Sequence, residues 1–257
     1  MKRKLWSREE LILAFNLYLK IPFGKIHSTN KDVIHLAQLI GRTPNSVALR
    51  LVNFASVDPV LKERGVKGMD GGKKIVQPIW DEFFNNQEEL IFLSEKILAE
   101  KENFTVEQKF ENLFFDIKEL KGEVKLREIK TRVNQNVFRQ MVISNYTGKC
   151  AISGIDIPEL LVASHIVPWS INEEERLNPE NGICFSALYD KAFDKGLIGI
   201  DEQYKILLSK NIKKNKEAIY YDKYFAPLEN QTLTLPQKYL PKKEFIQYQL
   251  DVIFQKI

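Results

Sequence analysis

Residues 181–194 read NGICFSALYDKAFD. NGICFS has the short, bounded apolar character of a strand, and ALYDKAFD that of a short helix. Asp190 and Asp194 then stand at i and i+4 on one helix face, where like charges repel. Upstream, TGKCAISGIDIPELLVASHIV (147–167) is rich in turns and short apolar runs, and its last run ends at a single histidine, His165. The order strand, strand, helix brings His165, Asn181, Asp190 and Asp194 toward one point. GLIGIDEQYKILLS (196–209) reads as a further hairpin.

The whole chain has 257 residues, which suits one large domain or two modest ones. Hydrophobic residues make up 44% and charged residues 28%, a globular composition. No apolar run approaches the ~20 residues of a membrane span, and the basic start MKRKLWSREE lacks the apolar core of a secretory signal. No membrane association is expected. Two cysteines exclude a disulfide scaffold and fit a reducing, cytoplasmic setting. Without further ligands they make no Cys₄ or Cys₂His₂ zinc site, and the chain has only three histidines, His27, His35 and His165. The net charge of +4 is unevenly spread. Residues 121–149 carry seven basic side chains against two acidic ones, and Lys210, Lys213, Lys214 and Lys216 form a second cluster. Both clusters flank the opening stretch, and a polyanion such as nucleic acid is their natural partner; a solvated surface is the plainer reading.

The N-terminal part reads as helices. Ser7 and Glu10 have the spacing of a capping box, and Leu11, Phe15 and Tyr18 follow on one face until Pro22. NKDVIHLAQLIGRTPNSVALRLVNFAS gives two helices joined by a tight turn. Asn30 or Asp32 begins the first, Gly41 ends it, and Thr43-Pro44 starts the second. The pattern is that of a helix-turn-helix, with Asn45, Ser46 and Arg50 expected on the outer side of the second helix; such helix pairs also commonly serve only to build a core. Residues 64–74, RGVKGMDGGKK, lack P-loop spacing and read as a connector. A helix is expected from Pro78 past Leu98, and a charged helical linker over 101–131.

Those residues carry a resemblance. ASHIVPW followed by RLNPENGICFSALYDKAFDKGLIGID resembles the HNH endonuclease superfamily, in its restriction-endonuclease-like branch, over about residues 132–201. The resemblance implies an α+β chain: a mainly helical N-terminal domain (1–100) with the helix-turn-helix-like segment, and a C-terminal ββα-metal nuclease domain (132–257). It makes His165 the general base and Asn181 the brace of the loop between the strands. Asp190 stands where the motif's last ligand falls, nine residues after the Asn, and Asp194 is a second ligand one turn on. Ser164 occupies a position often taken by a stronger ligand. Tyr189 sits one position before the metal register.

The chemistry agrees with the resemblance. Phosphodiester cleavage needs a base for water, a cation against the growing negative charge and positive groups for the backbone. A neutral imidazole accepts a proton at physiological pH, and a hard cation relieves the repulsion of two carboxylates. Mg²⁺, with Mn²⁺ tolerated, is therefore the expected ion, and no organic cofactor is expected. Taken singly, each residue has a plain reading: a satisfied histidine at a strand end, a solvated acidic helix face, an Asn-Gly turn, buried apolar cysteines. Their joint order and spacing favour the site. Arg132, Gln135 and Arg139 are candidates to follow a DNA backbone, while Arg176 would clamp a phosphate or pair with one of Glu173, Glu174 or Glu175. The expected function is a DNA endonuclease of a restriction system that leaves 5′-phosphate and 3′-hydroxyl ends on double-stranded DNA. A homodimer would supply two sites for a duplex, and sequential nicking by a monomer would serve as well. The alternative is a non-catalytic DNA-binding protein with a degenerate HNH module; an RNA-directed nuclease is a third reading.

Overall fold

The computed structural model describes residues 5–63, 65, 69–114 and 120–255. The chain divides into two units, Met1–Val137 and Phe138–Ile257. The first is helical. Helix α1 (Arg8–Lys20) starts at the expected capping box, with Ser7 and Glu10 each accepting from the other's backbone N–H. That satisfies two of the amides a helix leaves unpaired at its start. Helices α2 (Lys31–Leu39) and α3 (Pro44–Val57) form the expected pair. Asn30 caps the first, accepting from Asp32 and Val33 N–H. Gly41, at φ +63°, turns the chain while its N–H bonds the Gln38 carbonyl and Arg42 N–H bonds Ala37. This is a Schellman ending, which a residue with a Cβ adopts only under strain. The core stacks Phe15 on Phe54 at 4.7 Å and on Trp80 at 5.0 Å.

Helix α4 (Pro59–Glu63) follows. Of the glycine-rich stretch, 64 and 66–68 lie outside the described residues. Helix α5 (Lys73–Phe83) begins five residues before the expected Pro78, which lies inside it. A proline there loses a bond to residue 74, at a cost of about 3 kcal/mol. The amphipathic face Val76, Ile79, Trp80 and Phe83 is buried and offsets it. The single helix expected across 78–98 is interrupted at 84–86, and α6 (Gln87–Lys101) continues. The segment expected as a linker holds α7 (Val106–Lys109) and the start of α8 (Gly122–Asn145). It also buries a cluster of its own, Val106 and Phe114 with Ala99, Ile129 and Val133.

The second unit is α+β. Its first strand, β1 (Leu161–His165), pairs antiparallel with β2 (Gly182–Ser186), with His165 opposite Gly182. Helix α9 (Ala187–Asp194) follows directly. A second hairpin, β3 (Ile198–Ile200) and β4 (Ile206–Leu208), comes next. Short helices α10 (Lys210–Lys213), α11 (Ile219–Tyr224) and α12 (Lys243–Tyr248) complete the unit, and a π turn at Gln249–Ile253 extends α12. Gly182 lies on the C-terminal turns of α8: an added Cβ would meet Val142 Cγ2 at 2.4 Å and Phe138 Cζ at 2.9 Å. Cys150 and Cys184 are free, buried thiols. No helix among the described residues is long and apolar enough to cross a membrane.

Candidate active site

His165 ends β1 with its ring held on three sides. Phe138 stacks on it at 3.9 Å and 12°, and Trp169 meets it edge-on at 5.4 Å. Its Nε2 lies 2.9 Å from the backbone carbonyl of Arg176. A carbonyl only accepts, so Nε2 carries the proton and the lone pair is on Nδ1. Burial pushes the imidazole below its ordinary value, and the Arg176 carbonyl opposes that in part. The ring is thus neutral at physiological pH, with a fixed tautomer and a fixed plane.

Asn181 is fully buried and its amide is spent on the loop between the strands. Oδ1 accepts from Val167 N–H at 2.8 Å, and Nδ2 donates to the carbonyls of Val167 at 3.1 Å and Glu175 at 3.3 Å. Glu175 precedes Arg176, whose carbonyl fixes His165. The amide therefore ties both ends of the loop, and with them the carbonyl that orients the imidazole. Lys242 reinforces the loop, lying 3.6 Å from both Glu175 and Glu180.

Asp190 and Asp194 line the same open cleft as His165, of about 490 Å³, together with Ser164 and Trp169. The Asp194 carboxyl is pushed above its ordinary range, first by burial and then by the like charge of Asp190, while Lys191 and Lys195 oppose the shift. Ser164 is 2% exposed and its Oγ has no hydrogen-bond partner. A buried hydroxyl left unpaired costs about 1–3 kcal/mol and asks for a ligand. Among the described residues no group of three or more His, Cys, Asp or Glu side chains gathers as a metal cluster. Two carboxylates and one hydroxyl are an all-oxygen set that fits a hard cation retaining its own waters, not a thiolate- or imidazole-seeking one. Tyr189 does not line this cleft; its hydroxyl donates to the Tyr224 carbonyl at 3.1 Å.

The candidate DNA-contacting arginines are engaged elsewhere. Arg50, expected on the outer side of α3, is only 8% exposed, bonds Asn53 Oδ1 at 3.1 Å and lies over the Trp6 ring at 4.8 Å. The expectation is corrected: the helix turns Arg50 inward, while Asn45 stays exposed. Arg132 is held by Glu128 at 2.8 Å and by the Leu113 carbonyl at 2.5 Å. Arg139 donates to the Leu161 and Pro158 carbonyls at 2.6 and 3.1 Å, securing the approach to β1. Gln135 is exposed on α8. Arg176 lies over Trp169 at 5.0 Å and 3.9 Å from Glu173. Sequence reasoning missed Phe138 and Trp169 as walls of the histidine. Trp169 stood within the ASHIVPW phrase; Phe138 has no local signal, because only the fold brings α8 to β1.

Comparison with known families matches residues 150–201 to the HNH endonuclease family model. A search of curated proteins finds no match. The matched segment spans β1, β2, α9 and β3, of which β1 and α9 line the cleft. Over this segment the chain is similar to the HNH endonuclease family.

Proposed function

We propose that the protein is a divalent-metal-dependent DNA endonuclease that leaves 5′-phosphate and 3′-hydroxyl ends. One observation carries the reading: a neutral, oriented imidazole shares a cleft with two carboxylates and an unpartnered buried hydroxyl. Nδ1 of His165 takes the proton of a water, which attacks phosphorus in line with the departing 3′-oxygen. The Arg176 carbonyl stabilises the imidazolium that results, by keeping its Nε2–H bond through proton transfer. Asn181 acts through the loop as a positioning residue. Asp190, Asp194 and Ser164 would hold the cation, and Mg²⁺ or Mn²⁺ bound there supplies charge neutralisation at the phosphate. The exposed amines of Lys191 and Lys195 at the cleft add positive charge for the DNA backbone.

The test is metal-dependent nicking of supercoiled plasmid. Wild-type protein nicks with Mg²⁺ or Mn²⁺, while His165→Ala binds DNA and does not cut. Cleavage by that variant at the wild-type rate overturns the mechanism, as does activity with Zn²⁺ or Ni²⁺ but none with Mg²⁺. The small ligand set also permits a second reading, a DNA-binding protein with a silent HNH module, which predicts duplex DNA binding with no nicking under any divalent ion. A restriction role is tested by mapping cleavage on modified and unmodified copies of one genomic DNA.

A further inference from the structure

The second unit carries a basic and aromatic strip that the cleft does not use. Lys210, Lys214, Lys216 and Lys223 are exposed along α10, α11 and the turn between them. Within the same stretch Tyr220 and Tyr224 are 43% and 48% exposed, and Ile219 is 73% exposed. Tyr220 and Tyr224 stand at i and i+4 on α11, so both part-exposed rings share one face among these lysines. Tyr220 is braced, its ring meeting the buried Phe225 edge-on at 6.5 Å. Tyr224 is also fixed in place: its carbonyl accepts the Tyr189 hydroxyl at 3.1 Å, and Tyr189 packs on Phe225 at 6.4 Å. Tyr189 directly precedes Asp190 on α9, so that helix contacts α11 through one residue and lines the cleft with the next.

We propose that α10 and α11 form a single-strand nucleic-acid platform: Tyr220 and Tyr224 stack on unpaired bases while Lys210, Lys214, Lys216 and Lys223 follow the phosphates. A positively charged track with interleaved aromatic rings binds strands without sequence readout, because every base offers a π face. A duplex presents its bases already stacked and offers the tyrosines nothing. The occupant is therefore a strand unpaired near the scissile bond, at a nick, flap or melted end. Five lysines against the exposed Glu217 and Asp222 over residues 210–224 favour a polyanion, and the two rings add a stacking surface that a purely electrostatic duplex contact does not use. The inference rests on the nuclease reading for naming that strand as the substrate.

The test is fluorescence anisotropy of the full chain in EDTA, with a labelled oligothymidylate and a duplex of equal length. Tyr220→Ala/Tyr224→Ala weakens oligothymidylate binding about tenfold or more and leaves duplex binding near wild type. Tyr220→Phe/Tyr224→Phe keeps the rings and retains affinity, which separates stacking from altered folding. Lys214→Gln/Lys216→Gln weakens both probes and flattens the salt dependence. Equal oligothymidylate affinity in the alanine variant and wild type overturns the platform, including the case in which the strip instead captures an acidic protein. Binding in EDTA involves no turnover. Plasmid nicking with Mg²⁺, measured separately, fails if the nuclease reading is wrong and leaves the platform standing.

Discussion

Ser164 and His165 are adjacent in β1, and their predicted behaviour on substitution is opposite. Removing the Ser164 hydroxyl relieves a buried atom with no partner. Ser164→Ala should leave the metal-free protein as stable as wild type or slightly more so, while Mn²⁺ binding weakens in isothermal titration calorimetry. Unchanged Mn²⁺ affinity would remove Ser164 from the ligand set. For His165 the sign follows from its depressed proton affinity. The base works only when neutral, so kcat/KM should be flat through neutrality and fall on the acid side, at a pH below the ordinary imidazole value of about 6.5. The raised Asp194 carboxyl adds to the acid limb, since only its ionised form holds a cation. A limb centred above 6.5 contradicts the buried, neutral histidine. Asn181 serves three backbone groups at once. Asn181→Ala should cost about 1–3 kcal/mol for each group left unpaired, read by urea denaturation, and should lower kcat through a misplaced imidazole.

At the scale of elements, α9 is held from its C-terminal end. Gly196, at φ +65°, turns the chain out of the helix. An added Cβ would lie 2.0 Å from the Ile253 carbonyl oxygen, so no side chain fits. Gln255 donates its Nε2–H to the Lys195 carbonyl at 2.8 Å and its N–H to the Gly196 carbonyl at 2.9 Å. The buried Gln249 donates to the Ile198 carbonyl at 3.1 Å. The π turn is what aims these groups at the end of α9, and Ile253 from that turn also lines the cleft. Gly196→Ala should therefore do more than the ~1–2 kcal/mol of left-handed strain. It should push the π turn away and displace Asp194. We expect a lower thermal midpoint together with weaker Mn²⁺ binding. A loss of stability with wild-type Mn²⁺ affinity would separate the clamp from the carboxylate.

At the scale of the molecule, the charge of +4 is a modest excess, so DNA affinity should come from local patches and not from a global field. Log Kobs for duplex DNA should fall with log[salt], and each phosphate-neutralising lysine removed should reduce the slope by about one. A slope insensitive to lysine substitution on the second unit would place the DNA elsewhere. Arg50, buried over Trp6, belongs to the stability of the first unit. Arg50→Ala should lower that unit's thermal midpoint without changing the salt slope.

The local elements were legible in the residues because their causes are local. Ser7 with Glu10, Asn30, Gly41 and Thr43 place helix ends through hydrogen bonds and positive φ within a few residues. NGICFS and ALYDKAFD change period at Ser186, where strand gives way to helix. The i, i+4 spacing put Asp190 and Asp194 on one face, and the order of strand, strand and helix anticipated the ββα hairpin unit. Pro78 misled because a proline marks a helix start only when packing does not outvote it, and here a buried face does. Arg50 misled because it borders the apolar face of α3, and the pattern does not say whether a flanking side chain folds inward; Trp6, 44 positions earlier, receives it. The walls of His165, the bond from Nε2 to the Arg176 carbonyl and the orphaned Ser164 hydroxyl depend on contacts between segments distant in the chain. So does the clamp on Gly196. Spacing along a sequence encodes which side chains share an element, whereas the partner, tautomer and proton affinity of a group are set by whatever the tertiary structure brings against it.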